Sequence, residues 1–169
     1  MSKTAAFWDS SALVPLCVRE ITSRQALSHL RKAIPVVWWG SPVEVHSAIA
    51  RLHRLGMLTN AEKQGALSRL ALLGRGWREI LPGDALRDLA LRLLDRHELR
   101  AADSMQLAAA LTWCQQRPAR RPFVCADLRL SKAAQADGFD VRELSRPTSL
   151  DYLGAENPPA LGFTKAILG

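Results

Sequence analysis

Short apolar runs of strand length alternate along this chain with longer segments of helical periodicity. The runs cover residues 4–8, 35–39 and 123–126, with two weaker candidates at 77–81 and 139–144. Apolar residues recur at helical spacing between them, in residues 11–18, 22–33, 41–56, 59–74, 84–97, 101–115 and 128–136. Because strands separated by helices form parallel sheets with right-handed crossovers, this alternation predicts a layered α/β domain.

Local signals refine the ends of these helices. Ser41 stands three positions before Glu44, which predicts a serine N-cap and a capping box. Thr59 and Glu62 repeat the pattern at the start of the next helix. Pro15 is predicted to break or kink the first helix, because proline cannot donate a helical hydrogen bond.

The length and composition indicate one domain. A chain of 169 residues buries roughly 68–70% of its unfolded surface without needing a disulfide or metal to hold it. We expect an α/β domain over residues 1–145 and an irregular tail over residues 146–169, where prolines and glycines interrupt the pattern. No apolar segment reaches the roughly 18 residues of a membrane span, so neither a secretory signal nor a membrane anchor is expected.

The cysteines indicate the compartment. Cys17, Cys114 and Cys125 are odd in number, lie in apolar patterns and lack CxxC spacing. Such cysteines are typical of reduced core thiols, which predicts a cytoplasmic protein.

Four carboxylates fall where the strand pattern places one edge of the sheet. Asp9 and Asp127 directly follow predicted strands, Glu44 lies five positions after Trp39, and Asp103 lies in the first turn of a predicted helix. Ligands of parallel α/β sheets bind outside the carboxyl ends of the strands. The convergence of four acids at that edge predicts a metal site.

Each acid also has a purely structural explanation. Glu44 would complete a capping box, Asp103 would complement its helix dipole, and Asp9 and Asp127 would serve as turn or cap residues. Their convergence at one edge nevertheless favours chemistry. Three other acids recur among arginines along one predicted helix and are interpreted as a solvated face: Asp84, Asp88 and Asp95.

The types of side chain indicate which metal would bind. Carboxylate oxygens suit Mg²⁺ or Mn²⁺ better than zinc, which prefers histidine and thiolate. The histidines lie on predicted helices without ligand spacing to one another: His29, His46, His53 and His97. A metal held by carboxylates activates water for attack on a phosphodiester and stabilises the leaving oxygen. The sequence thus predicts a Mg²⁺ or Mn²⁺ nuclease site.

An excess of basic residues accompanies the acids. The chain has 23 lysines and arginines against 16 aspartates and glutamates, a net charge of +7. This charge favours a polyanionic partner, although a charge of this size also serves solubility alone.

Position divides the basic residues into two groups. Three of them flank helix starts at the acidic edge, where cations oppose the helix dipole, and are candidates for RNA-backbone binding or plain surface charge: Arg100, Arg129 and Lys132. Three others fall in a loop predicted at the opposite edge and are interpreted as solvated: Arg117, Arg120 and Arg121.

Four ordered motifs resemble those of PIN-domain ribonucleases. They are residues 7–14, residues 41–44 with Arg51, residues 99–108, and residues 124–130 with Ala133, Ala134 and Gly138. The resemblance spans about residues 4–144, and within the family the chain is most similar to the VapC-type toxins of bacterial toxin–antitoxin pairs. It implies a three-layer α/β/α domain around a mainly parallel sheet, RNA cleavage with Mg²⁺ or Mn²⁺, homodimerisation, and a small antitoxin that covers the site.

The motif match also implies residue roles. It assigns four metal-binding catalytic acids and one supporting serine: Asp9, Glu44, Asp103, Asp127 and Ser11. Two positions depart from the family pattern: Cys125 replaces the common threonine or serine, and residues 104–106 replace a more usual alanine and histidine. The alternative function is a catalytically inactive, basic RNA-binding module of the same fold, which would bind RNA equally well in EDTA.

Two predicted helices carry apolar stripes. The stripes consist of Val45, Ile49, Leu52 and Leu55 in one helix and Leu67, Leu70, Ala71 and Leu73 in the next. A single-domain core need not bury both, although a helix pair packed on the sheet explains them equally well. We therefore expect self-association and binding of a smaller protein partner through these helices.

Overall fold

The structure, a computed structural model, describes residues 4–145, in which the strands form one parallel sheet. They are β1 (Thr4–Trp8), β2 (Ala33–Trp38), β3 (Arg78–Ile80), β4 (Pro122–Cys125) and β5 (Asp140–Glu143). Their order across the sheet is β3-β2-β1-β4-β5, and all four pairings are parallel. The direction of winding therefore reverses between β1 and β4, the position where sheets of this kind bind ligands. The predicted tail, residues 146–169, lies outside the described residues.

Helices cover both faces of the sheet. They are α1 (Ser10–Cys17), α2 (Ser23–Lys32), α3 (Ser41–Arg54), α4 (Asn60–Leu73), α5 (Asp84–Arg96), α6 (Ala101–Trp113) and α7 (Leu128–Ala136). The helices α1 to α4 pack on one face and α5 to α7 on the other. The predicted three-layer α/β/α architecture is thus confirmed. No helix within residues 4–145 is long and apolar enough to cross a membrane.

Alternating strand residues divide the core into two halves. Phe7 and Phe123 point to the α5–α7 side, where their rings stack with centroids 5.3 Å apart. Trp8 and Val124 point to the opposite side, against α1 to α4. Successive side chains of a strand point to opposite faces, so nearly continuous apolar runs are needed to cover both. The three central strands therefore contribute their side chains mostly to the two halves of the core, and the polar residues Asp9 and Asp127 directly follow β1 and closely follow β4, respectively.

Two boundaries differ from the sequence expectations. The helix α1 is not broken at Pro15 and continues to Cys17. Pro15, Leu16 and Cys17 are all buried, and this packing offsets the hydrogen bond that proline cannot make. The strand β2 begins directly after α2 and ends at Trp38, which leaves Trp39 outside the strand with 52% of its surface exposed.

The two apolar stripes on α3 and α4 lie mostly inside the domain. Val45, Ile49, Leu70 and Leu73 are buried, and Leu52 and Leu67 are half-buried against the same core. The helices pack on α1 and on each other, so of the two explanations that the sequence left open, the structure shows the helix pair packed within the domain. Only Leu55 and Ala71 of the two stripes are exposed. Self-association stays a prediction that rests on the family resemblance.

Candidate active site

The four predicted acids lie at the carboxyl edge of the sheet. Asp9 follows β1 and Asp127 follows β4, and these neighbouring strands continue their pairing past the edge, because the Asp9 amide donates to the Val124 carbonyl at 3.0 Å. Glu44 and Asp103 lie in the first turns of α3 and α6. The acids therefore flank the point where the winding of the sheet reverses.

Asp9 is the most deeply buried of the four, with 4% of its surface exposed. Its Oδ2 accepts a hydrogen bond from the Ser11 amide at 3.0 Å, one from the Ser11 hydroxyl, and a weak one from the Cys125 thiol at 3.6 Å. Burial nevertheless raises the pKa of Asp9 from 3.8 to about 6, and the charge of Asp103 adds to the rise. Ionisation of Asp9 is therefore less favourable in the folded protein than in the unfolded chain.

Ser11 connects the first helix to the fourth strand. While its hydroxyl donates to Asp9, it accepts a hydrogen bond from the Ala126 amide at 2.9 Å. Its position between two chain segments fixes the Asp9 carboxylate relative to the end of β4. The supporting role implied for Ser11 thus has a geometric basis, although its part in a reaction remains a prediction.

Gln106 organises the other side of the site and was not recognised as a functional candidate in the sequence. Its side chain is completely buried, and its Nε2 lies 2.6 Å from the Ser10 hydroxyl, 3.2 Å from the Ser41 hydroxyl and 3.2 Å from Glu44 Oε2. The amide thereby ties the starts of α1 and α3 to α6. Its Oε1 is buried and has no hydrogen-bond partner within residues 4–145. The available signal was a glutamine three residues after Asp103 that directly precedes the apolar run 107–111.

The position of Ser41 corrects the predicted capping box. Gly40 is the N-cap of α3 and makes no side-chain cap bond, while Ser41 is the first helical residue and its hydroxyl contacts Gln106. Burial raises the pKa of Glu44, and the charges of Asp9 and Asp103 add to the rise against hydrogen bonds from Gln106 and Ser10. Glu44 therefore belongs to the acidic group and not to a local cap.

Asp103 and Asp127 interact electrostatically with each other. Burial, followed by the charge of Asp127, raises the pKa of Asp103, while the Arg100 amide and the charges of Arg100 and Arg129 oppose the rise. The Arg100 amide lies 3.4 Å from Asp103 Oδ2, which is a long contact. Asp127 caps α7 by accepting from the Leu130 amide at 2.8 Å through Oδ1.

The structural explanations hold for three of the acids. Asp103 lies in the first turn of α6 and accepts a long hydrogen bond from the Arg100 amide. Asp9 and Asp127 are both N-caps, of α1 and α7. The three interactions of Asp9 involve Oδ2 and the cap bond of Asp127 involves Oδ1. Each therefore keeps one carboxylate oxygen without a hydrogen bond inside the described residues, so capping leaves an oxygen of each acid available to a ligand.

The four acids interact electrostatically, but their side chains do not form a compact cluster. The negative charges of Asp9, Asp103 and Asp127 raise pKa values within the group. Within residues 4–145, no three acidic, histidine or cysteine side chains form a group compact enough to hold a metal ion as they stand. Mutual repulsion of carboxylates favours such spacing.

The cysteines and histidines do not join the acids as ligands. All three cysteines are free and buried, and burial raises the pKa of the Cys125 thiol far above neutrality, with the charge of Asp9 adding to it. A neutral thiol is a poor nucleophile and metal ligand. His53 bonds the Leu58 carbonyl, and His97 bonds Asp137 at 3.2 Å.

The basic residues separate as predicted. Arg100, Arg129 and Lys132 are exposed. The positive charges of Arg100 and Arg129 act to lower the pKa of Asp103. The exposed arginines at 117, 120 and 121 precede β4 at the opposite edge of the sheet. The acids 84, 88 and 95 are exposed on α5, which confirms them as a solvated face.

The comparisons with known proteins yield a structural likeness. No protein-family model matches the chain, and a search of curated proteins finds no match. Among solved structures, the chain is similar to the crystal structure of FitAcB from Neisseria gonorrhoeae, with a TM-score of 0.56 and 14% sequence identity. The match covers 80% of this chain and 95% of that one. At this identity the likeness concerns the fold, and it agrees with the PIN-like three-layer arrangement that the motifs imply.

Proposed function

We propose that this protein is a divalent-metal-dependent endoribonuclease that acts as the toxin of a toxin–antitoxin pair. The observation that carries the proposal is the burial of the Asp9 carboxylate together with its raised pKa. This buried carboxylate has a pKa raised to about 6 although three donors surround it, and the charge of Asp103 adds to the rise. A group kept ionised against such a cost is typical of a site in which function is held at the expense of stability.

The donor chemistry fits Mg²⁺ or Mn²⁺. Asp9, Glu44, Asp103 and Asp127 would hold the ion through carboxylate oxygens, the ligands that these cations prefer. When bound, the ion would activate water for attack on a phosphodiester and stabilise charge on the leaving oxygen. Neutralisation by a cation would also relieve the repulsion among the acids and let them approach one another.

The surrounding side chains prepare the acids for this role. Ser11 fixes Oδ2 of Asp9, so that the carboxylate would offer Oδ1 to an ion from a defined position. Gln106 fixes Oε2 of Glu44 from inside the core. Partners of this kind orient ligand side chains and commonly change metal affinity by about 10- to 100-fold when they are lost.

The biological role and the partners rest on further support. The net charge of +7 and the cations beside Asp103 favour RNA as the substrate. The ordered motifs and the fold shared with FitAcB support a toxin that binds a small antitoxin, forms a homodimer and works in the cytoplasm. A short reading frame beside this gene that encodes a small DNA-binding protein would add independent support.

The inactive RNA-binding module is the second candidate. The observation that favours it is that Asp9 and Asp127 are both N-caps, so that local structure alone accounts for an aspartate at each position. Such a protein would bind RNA without cutting it, and its affinity for RNA would be the same in EDTA and in Mn²⁺.

Cleavage of a labelled RNA that contains single-stranded and loop segments separates the candidates. Wild-type protein should cleave it with Mg²⁺ or Mn²⁺ and not in excess EDTA. Asp9→Asn and Asp103→Asn should each reduce the rate by at least about a hundredfold, since the loss of a ligand charge weakens the metal. Asp88→Asn, on the exposed face of α5, is the matched control and should cleave normally. Full activity of both site variants, or of the wild type in EDTA, would contradict the proposal.

A further inference from the structure

A cleft of about 230 Å³ opens beside the acidic group, between the segment that follows α5 and one face of α7. Its lining consists of His97, Glu98, Leu99, Arg129, Lys132 and Ala133. The three α7 residues are spaced i, i+3 and i+4, which places them on a single face of the helix. Two cations and one acid, Glu98, thus line the cleft together with apolar surface from Leu99 and Ala133.

A buried acid joins the two walls of the cleft. Asp137 follows the last turn of α7, and 3% of its side chain is exposed. Its Oδ1 lies 3.2 Å from His97 Nε2 and 3.3 Å from the Arg96 guanidinium at the end of α5. These contacts connect the end of α5 to the end of α7, so the two segments that line the cleft are joined before any ligand enters. A preformed site costs less ordering on binding.

The cations of the cleft are not needed by the local structure. Arg129 lies near the start of α7, where positive charge opposes the helix dipole. Neither Arg129 nor Lys132 forms a salt bridge within the described residues. The charge of Arg129 reaches Asp103, so the cleft adjoins the acids while its cations stay available to an external anion.

We propose that this cleft binds a backbone phosphate of the RNA strand, beside the phosphodiester that the acids cut. The inference rests on the proposed function and names the place where the substrate strand is held. Arg129 would contact phosphate oxygens with its planar fork and Lys132 with its ammonium group. The contact is made to the backbone, so it positions the strand without reading its bases.

Binding of a fluorescein-labelled single-stranded RNA, followed by anisotropy across a range of salt concentrations, tests the cleft. The full-length chain is used in excess EDTA, and a gel checks that the RNA stays intact. Arg129→Gln and Lys132→Gln should each weaken binding for RNAs of different sequence alike. Each should also lower the slope of log affinity against log salt by about 0.7, the value for one lost phosphate contact on a single strand. Arg117→Gln, an exposed arginine at the opposite edge, is the matched control and should resemble the wild type.

The outcomes also separate this inference from the nuclease proposal. Unchanged affinity and salt slope in both cleft variants, in a protein that cleaves RNA with Mn²⁺, would overturn the cleft and leave the nuclease intact. If the two cleft variants show the predicted lower salt slope but the wild-type protein never cleaves RNA, the result would support the cleft and contradict the nuclease proposal. Weakening by Arg117→Gln as large as that of the cleft variants would indicate a diffuse charge effect and would also overturn the cleft.

Discussion

Asp9 differs from an ordinary helix cap in the balance of forces on its carboxylate. A cap bond lowers the pKa of a surface aspartate, because the donor stabilises the ionised carboxylate and no burial opposes it. Burial of Asp9 outweighs its hydrogen bonds and moves the pKa from 3.8 to about 6. The folded protein therefore binds a proton here more tightly than the unfolded chain does. The stability that this group contributes is complete below pH 3.8 and is lost as the pH rises through 6.

Asp9→Asn should consequently stabilise the metal-free protein at pH 7.5. The gain should be at most about 3 kcal/mol, because each pKa unit corresponds to about 1.36 kcal/mol and asparagine caps a helix as well as aspartate does. It should shrink as the pH falls from 6 to 4. Urea unfolding in EDTA at several pH values measures it. An equal loss of stability at every pH would mean that Asp9 is a structural cap.

Gln106 offers a second test at the residue scale. Gln106→Met keeps the volume but removes the donor shared by Ser10, Ser41 and Glu44, so unfolding free energy should fall by about 1–3 kcal/mol. Because Glu44 would lose its orientation, the Mn²⁺ dissociation constant from calorimetry should rise about 10- to 100-fold. Gln64→Met, at an exposed position of α4, should change neither quantity. Wild-type Mn²⁺ affinity in Gln106→Met would show that Gln106 does not position a metal ligand.

The secondary-structure elements follow closely from local patterns. Apolar runs buried on both faces, such as β1 and β4, leave little choice but a parallel sheet covered by helices. The starts of α4 and α7 follow from a threonine and an aspartate at their N-caps. These signals lie within a few residues of the feature they predict, and so the fold and the edge that carries the acids could be inferred.

The interior contacts of the site could not be inferred in this way. Ser41 shows the local pattern of an N-cap, yet its hydroxyl contacts Gln106, 65 residues further along the chain. The contact between Gln106 and Ser10 spans 96 residues. Such contacts depend on how α1, α3 and α6 pack together. The local sequence around each residue does not indicate which distant residue it will contact. The sequence also left open whether the stripes on α3 and α4 are buried or exposed, because the answer depends on how these helices pack on α1.

The intact capping box at α4 provides a prediction for elements outside the site. The Glu62 amide donates to Thr59 Oγ1 at 3.2 Å, and the Thr59 amide donates to Glu62 Oε2 at 2.8 Å. Thr59→Ala should lower the free energy of unfolding by about 1 kcal/mol, with or without Mn²⁺. Thr59→Ser, which keeps the hydroxyl, should lose much less. Urea unfolding of the three proteins measures the difference, and a Mn²⁺-dependent effect would contradict the separation of this cap from the metal site.

At the scale of the whole molecule, the carboxyl edge of the sheet combines the acids, the cation-lined cleft and the exposed Trp39. Self-association is expected from the family resemblance, and the buried stripes on α3 and α4 no longer support it. Sedimentation at micromolar concentration should give the mass of a dimer. A strictly monomeric mass would contradict that expectation and leave the nuclease proposal untouched.

Thermal unfolding of the whole protein with and without Mn²⁺ tests the metal site most directly. Asp103→Asn keeps an oxygen that accepts from the Arg100 amide. It removes an ionisable carboxyl group whose pKa is raised by burial and by the charge of Asp127. In EDTA this variant should therefore melt at a higher temperature than the wild type. Mn²⁺ at a hundredfold excess over its dissociation constant should stabilise the wild type by about 2.7 kcal/mol and the variant much less. A variant that is less stable in EDTA, together with a wild type whose melting is unchanged by Mn²⁺, would contradict the metal-dependent nuclease site.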